Sequence, residues 1–184
     1  MKKLIPILAF LAIVGVISQA EGASSDTCGM SVTVLVGASV SVTDEPLAFG
    51  DVSAATSDVS DSGCTVTNDG SARNDYRLAI TAKPTDWTVV SGSPGYNEIR
   101  LLALFTSKTS LVTGDFLTAD DIVTESQTDA TATVYAITAE GASVKGYDCT
   151  QNAVRKLWFR FDAPSGTNLT TQQWITVTVT AVAG

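Results

Sequence analysis

The chain contains no histidine. That removes Ser-His-Asp and Cys-His nucleophilic centres, the usual zinc sites and the two-histidine iron triad together. Charge is scarce. Only 16% of residues are Asp, Glu, Lys or Arg, and the balance is acidic, 11 basic against 19 acidic, for a net −8. An acidic chain has no electrostatic reason to bind nucleic acid or anionic lipid, so neither is an expected partner. No glycine-rich loop stands between a strand and a helix to cradle phosphate. The three cysteines, Cys28, Cys64 and Cys149, lack Cys-x-x-Cys spacing, which excludes that redox motif. The paired carboxylates Asp120 and Asp121 are neighbours in sequence. On a strand such neighbours point to opposite faces, not across a cleft as glycoside hydrolysis requires. No enzyme activity and no cofactor are expected. Calcium is the one metal to weigh, because Asp115, Asp120, Asp121 and Asp129 offer hard oxygen donors from one region. Their spacing fits no EF-hand, so a solvated acidic loop is the simpler expectation and no metal site is assigned.

Long apolar runs are also few. The one that stands out, Leu4–Ile17, follows Met1-Lys2-Lys3 and precedes the small residues of Ser18-Gln19-Ala20. A short basic start, an apolar run and small residues at the cleavage positions make a secretory signal peptide over 1–23, cut near 20–23. The run is short for a membrane span, which takes roughly 20 residues. Removing Lys2 and Lys3 makes the net charge two units more negative. Residues 24–184 are then expected to be one domain, secreted or held at the cell surface, with no stable membrane insertion. In an oxidising compartment two of Cys28, Cys64 and Cys149 are expected to pair. All three pairings are open, with a lean toward one that uses Cys149 in its polar loop.

What the chain has in quantity is alternation. In Trp174–Ala181 every second side chain is apolar (Ile175, Val177, Val179, Ala181) and threonines lie between. A period of two with β-branched residues on both faces is an antiparallel strand over a core. The same pattern recurs in Tyr76–Ala82, where Tyr76, Leu78 and Ile80 share a face, and in Lys156–Asp162. There Leu157, Phe159 and Phe161 oppose Lys156, Trp158, Arg160 and Asp162. Ile99–Phe105 is apolar on both faces and reads as a central strand covered on both sides. Further strands are expected at Cys64–Thr67, from Trp87, and over Thr131–Ile137. A short helix is expected from Thr118, and the final strand is expected to return as a hairpin neighbour of Lys156–Asp162. Asn68-Asp69-Gly70 marks a turn. About seven to nine strands between such turns predict an all-β fold, an Ig-like or Greek-key antiparallel sandwich.

The mature start carries its own signal. Val32, Val34 and Val36 alternate, Gly37 interrupts, and Val40 and Val42 resume. Two expectations stand together. One is a first strand bent at Gly37. The other is a donor segment over 27–43 that completes a neighbour's sheet, with backbone hydrogen bonds for affinity and the valines filling pockets. Trp158 and Trp174 fall opposite the apolar sets of their strands, and exposed side by side they would form a platform for sugar rings or a neighbouring subunit.

The runs Leu47-Ala48-Phe49-Gly50-Asp51-Val52, Val66-Thr67-Asn68-Asp69-Gly70, Tyr76-Arg77-Leu78, Arg155-Lys156-Leu157-Trp158-Phe159 and the closing Ile175–Ala181 resemble a group of secreted bacterial β-sandwich proteins. More distantly, an early Cys, a Phe-Gly pair, a second Cys on the next strand and a β-rich final strand are similar to spore coat protein U and pilin-like domains. That resemblance implies assembly into surface fibres by exchange of donor strands, with copies of the chain as the partner. The third cysteine and the Lys156–Arg160 strand depart from that pattern. The alternative expectation is a secreted carbohydrate-binding module using Trp158 and Trp174, with a surface polysaccharide as partner.

Overall fold

The computed structural model describes residues 31–32 and 36–184. The export segment at 1–23, Cys28 and Val34 lie outside the described residues. The fold is almost entirely β, with ten strands in two sheets among the described residues.

Two strands carry the larger sheet. β6 (Glu98–Phe105) and β9 (Val154–Asp162) pair antiparallel from Arg100–Asp162 to Phe105–Leu157. β6 takes the centre because it has no wet face. Ile99, Leu101, Ala103 and Phe105 look into the main core, Leu102 and Leu104 into a second cluster, and none is more than 2% exposed. A strand apolar on both sides must be covered on both sides. The far edge of β9 is shared by β2 (Ser57–Val59) and β3 (Cys64–Thr67), and β1 (Ser41–Thr43) adds outside β3. The far edge of β6 takes β5 (Thr88–Val89) in parallel and β7 (Ile122–Val123) antiparallel.

The smaller sheet has β4 (Asn74–Ala82) in its middle, with β8 (Thr128–Asp129) on one side and β10 (Thr176–Ala183) on the other. Tyr76, Leu78 and Ile80 of β4 meet Leu101, Phe105, Leu157 and Phe161 of the larger sheet in one core, and the rings of Tyr76 and Phe105 stack 5.8 Å apart. Each such side chain contributes about 1.5–3 kcal/mol by leaving water, which is why these alternating runs fix the two-sheet arrangement.

Three expectations are corrected. The final strand does not form a hairpin with β9. The segment between them crosses to the other sheet, and β10 pairs with β4 from Thr176–Ala82 to Ala183–Asn74. Alternation tells which side chains share a face but not which strand lies alongside. Thr131–Ile137 is a turn, not a strand: Thr131 Oγ1 accepts the Thr133 and Val134 N–H groups, and Tyr135 turns left-handed at φ 56°. Thr118 opens no helix. Asp120 and Asp121 donate back to Leu117 O in one closed turn, and the 3₁₀ turn in this region is Thr113–Asp115. At the mature start β1 covers Ser41–Thr43, while residues 33–35 of the expected first strand lie outside the described residues. Gly37 O is occupied by the Ser71 and Ala72 N–H groups, so the chain there folds over the Gly70 turn. Gly70 has to be glycine, since a Cβ would lie 2.5 Å from Gly37 O.

Candidate functional site

The larger sheet ends at β1 and the smaller one at β10. Along these two edges the core is not closed. Val40, Val42, Leu47, Phe49 and Val52 from the entering chain pack on the core only partly buried, as do Ile175, Val177, Val179 and Ala181 from the leaving chain. The two runs meet at a groove of about 860 Å³, bounded by residues 46–54 on one side and 167–175 on the other. Its floor holds Phe161 and Trp87, whose rings stack at 5.9 Å, with Phe49 5.7 Å from Phe161. Among the described residues β10 pairs with β4 alone, so its outer edge presents free backbone groups along Thr176–Ala183, a stretch without charge or proline. Such an edge is a template for another strand.

The donor-segment residues fall into two sets. Val32 and Val36 are exposed, at 86% and 63%. Val40 and Val42 pack on their own domain's core, and Val42 lies opposite Val66 in β1 and β3. Val34 lies outside the described residues.

The two tryptophans do not form a platform. Trp174 is 60% exposed at the groove, whereas Trp158 is 7% exposed. Trp158 packs with Leu102, Leu104 and Phe116, and a Cβ on Gly63 would lie 2.6 Å from its indole nitrogen. The face of β9 expected to be wet is covered by the segment carrying Leu111 and Phe116. Asp162 on the same face is buried between Arg100 (2.6 Å) and Arg160 (2.7 Å). Burial alone would push its carboxyl up, but hydrogen bonds from Ser57, Arg100 and Arg160 outweigh it and hold the pKa below the ordinary value.

The acidic side chains of 115–129 are kept apart. Asp115 pairs with Lys108 and Asp129 with Arg77, while Asp121 is buried. Among the described residues no three His, Cys, Asp or Glu side chains gather as a metal site would need. Cys64 and Cys149 are free, buried thiols, so the expected bond through Cys149 is not present among the described residues. Cys149 is tied into the fold. Its backbone bridges Asn74, its carbonyl accepts Asn68 Nδ2, and it has no exposed surface. Burial raises both thiols, Cys64 to about 12. No described helix is long and apolar enough to cross a membrane. Compared with protein-family models, curated proteins and solved structures, the chain matches none.

Proposed function

We propose that this chain is a structural subunit of an extracellular or cell-surface filament, built on an Ig-like Greek-key sandwich and assembled by β-strand addition between copies. The observation that carries this reading is the β10 edge. An uncharged strand of eight residues has one partner among the described residues, and its inward side chains Val177, Val179 and Ala181 are half-buried over the core. A strand laid along that edge would satisfy its backbone groups and cover those side chains in one step. The donor segment of the neighbouring copy is 27–36, whose valines alternate and whose described members Val32 and Val36 are exposed. Val40 and Val42 then anchor the donor to its own domain through β1. The sequence pattern of 1–23, read as an export signal, supports an assembly outside the cell.

The test is deletion of residues 27–36 behind the signal, with electron microscopy of the exported protein. The full chain is expected to form fibres and the deleted chain to remain a folded monomer. Intact polymers from the deleted chain would overturn the proposal.

A further inference from the structure

Arg155 occupies an inward register of β9, two residues before Leu157 and on the same side as Phe159 and Phe161, and it is 8% exposed. A buried cation normally faces a carboxylate, because an uncompensated charge taken out of water is costly. Arg155 forms no ion pair among the described residues. Its guanidinium gives Nε–H to Lys145 O at 2.8 Å and one Nη1–H to Val154 O at 3.0 Å. An arginine has five N–H groups; beyond these two bonds the guanidinium touches only the Cys149 thiol, so its outer fork meets no oxygen acceptor among the described residues. The groups beside it cannot supply the missing charge: burial raises both the Cys149 thiol and the Tyr76 phenol, which stay neutral near pH 7.

Arg155 lines a cavity of about 380 Å³ with Arg73, Ser143, Thr150 and Asp148. Asp148 is committed to Arg73 across the rim. Asp75 lies behind Asp148, taking its N–H at 2.7 Å, so the two guanidiniums are balanced in number by two carboxylates, but neither carboxylate pairs with Arg155. Two arginines and two hydroxyls are a set of donors. A tetrahedral anion with four acceptor oxygens uses more of them than a carboxylate with two, and the guanidinium fork matches it bidentately.

We infer that the cavity between the start of β9 and the 142–150 loop is a binding site for a phosphate group, with Arg155 as the buried bidentate donor and Arg73 as the second cation at the mouth. The group is either free inorganic phosphate or a phosphate ester on a larger molecule. The site shares no residue with β10, although it adjoins the strand's end, where Gly184 N–H bonds Arg73 O, so it goes beyond the filament reading and its test reads phosphate binding rather than fibres.

The experiment is calorimetric titration of the full exported protein with inorganic phosphate, and separately with glycerol phosphate, against sodium chloride at matched ionic strength. Saturable binding of phosphate that chloride does not reproduce is expected. Arg73→Gln is expected to weaken it about tenfold or more, the loss of one charge-assisted contact. Arg155→Lys keeps the charge but loses the fork and should weaken binding as well; if circular dichroism shows that it fails to fold, Arg73→Gln carries the test. Binding of both ligands assigns the site to a phosphate ester, and binding of inorganic phosphate alone to the free ion. Absence of saturable binding, or binding unchanged in Arg73→Gln, would overturn the inference.

Discussion

Asp121 and Leu117 are joined by a short hydrogen bond, Leu117 N–H to Asp121 Oδ2 at 2.6 Å, while the other carboxylate oxygen of Asp121 is buried and meets no donor among the described residues. Burial is the main cause that raises this carboxyl to about 6, and the Leu117 N–H works against it. The folded state therefore holds the Asp121 proton more tightly than the unfolded chain does. The stability this contributes is complete below the unfolded value near 4 and is lost as pH rises through about 6. Asp121→Asn keeps an acceptor for Leu117 and removes the charge. It is expected to be more stable than the parent by about 1–2 kcal/mol at pH 7 and equal to it at pH 4. Urea unfolding at both pH values measures this, and an equal difference at the two would show that charge is not the cause.

Asp162 has the opposite sign. Its folded pKa lies below the ordinary value, so its contribution is present above the unfolded value near 4 and is lost as pH falls through the folded one. Asp162→Ala leaves Arg100 and Arg160, each with a largely buried side chain, without their shared partner. A loss of about 3–5 kcal/mol is expected at pH 7. In urea unfolding the gap between Asp162→Asn and the parent should narrow below pH ~4, where the parent loses its charge too.

The contrast between the two faces of β9 shows what the residues could and could not announce. Ile99–Phe105 declared a strand covered on both sides because Arg100 is its only polar residue and apolar side chains fill both faces, and it lies between β9 and the β5–β7 edge. Tyr76–Ala82 and the closing strand declared their inward faces by alternation, with bounds shifted by two residues. Trp158 and Asp162 sit at positions that a period of two assigns to water; Trp158 is dry because a segment with almost no regular structure, around Leu111 and Phe116, packs on it, and Asp162 is enclosed by Arg100 and Arg160. Nothing in an aperiodic segment says which face it will cover. β7 and β8 are two residues long each, shorter than any period can reveal. Along the open side of the core, the alternating valines and the closing strand were legible, though not that this strand is an edge. The groove's aromatic floor of Trp87 and Phe161 and, in the other cavity, the inward Arg155 were not, since each depends on contacts between residues far apart in the chain.

The three tryptophans separate the two faces experimentally. Trp87 and Trp158 are each 7% exposed and Trp174 is 60% exposed. Iodide should quench one component of the fluorescence, and Trp174→Phe should remove that component. Trp158→Ala is expected to cost about 3–5 kcal/mol, because it empties the cluster with Leu102, Leu104 and Phe116. Trp158→Phe should cost much less, since the indole N–H it deletes is buried with no partner among the described residues. A Trp158→Ala loss below about 1 kcal/mol in urea unfolding would mean the ring is not packed as described.

The two faces of β10 give the sharpest division between folding and assembly. Val179 points inward opposite Leu78 but is only half-buried, whereas Thr178 lies on the outer face, its hydroxyl 2.8 Å from that of Thr81. A lysine at 179 can run its stem along the apolar seam and leave its ammonium in water, so Val179→Lys should cost the isolated domain about 1–2 kcal/mol. If a neighbour's strand closes the seam, that escape is gone, and the ammonium would have to be buried beneath the incoming valines without a partner. Val179→Lys is then expected to yield folded monomers and no fibres. Thr178→Lys, on the outer face, should leave both stability and fibres close to the parent. Dichroism and unfolding report the first property, and light scattering with electron microscopy the second. Fibres from Val179→Lys, or their equal loss in Thr178→Lys, would mean that the inward face of this edge is not where copies join.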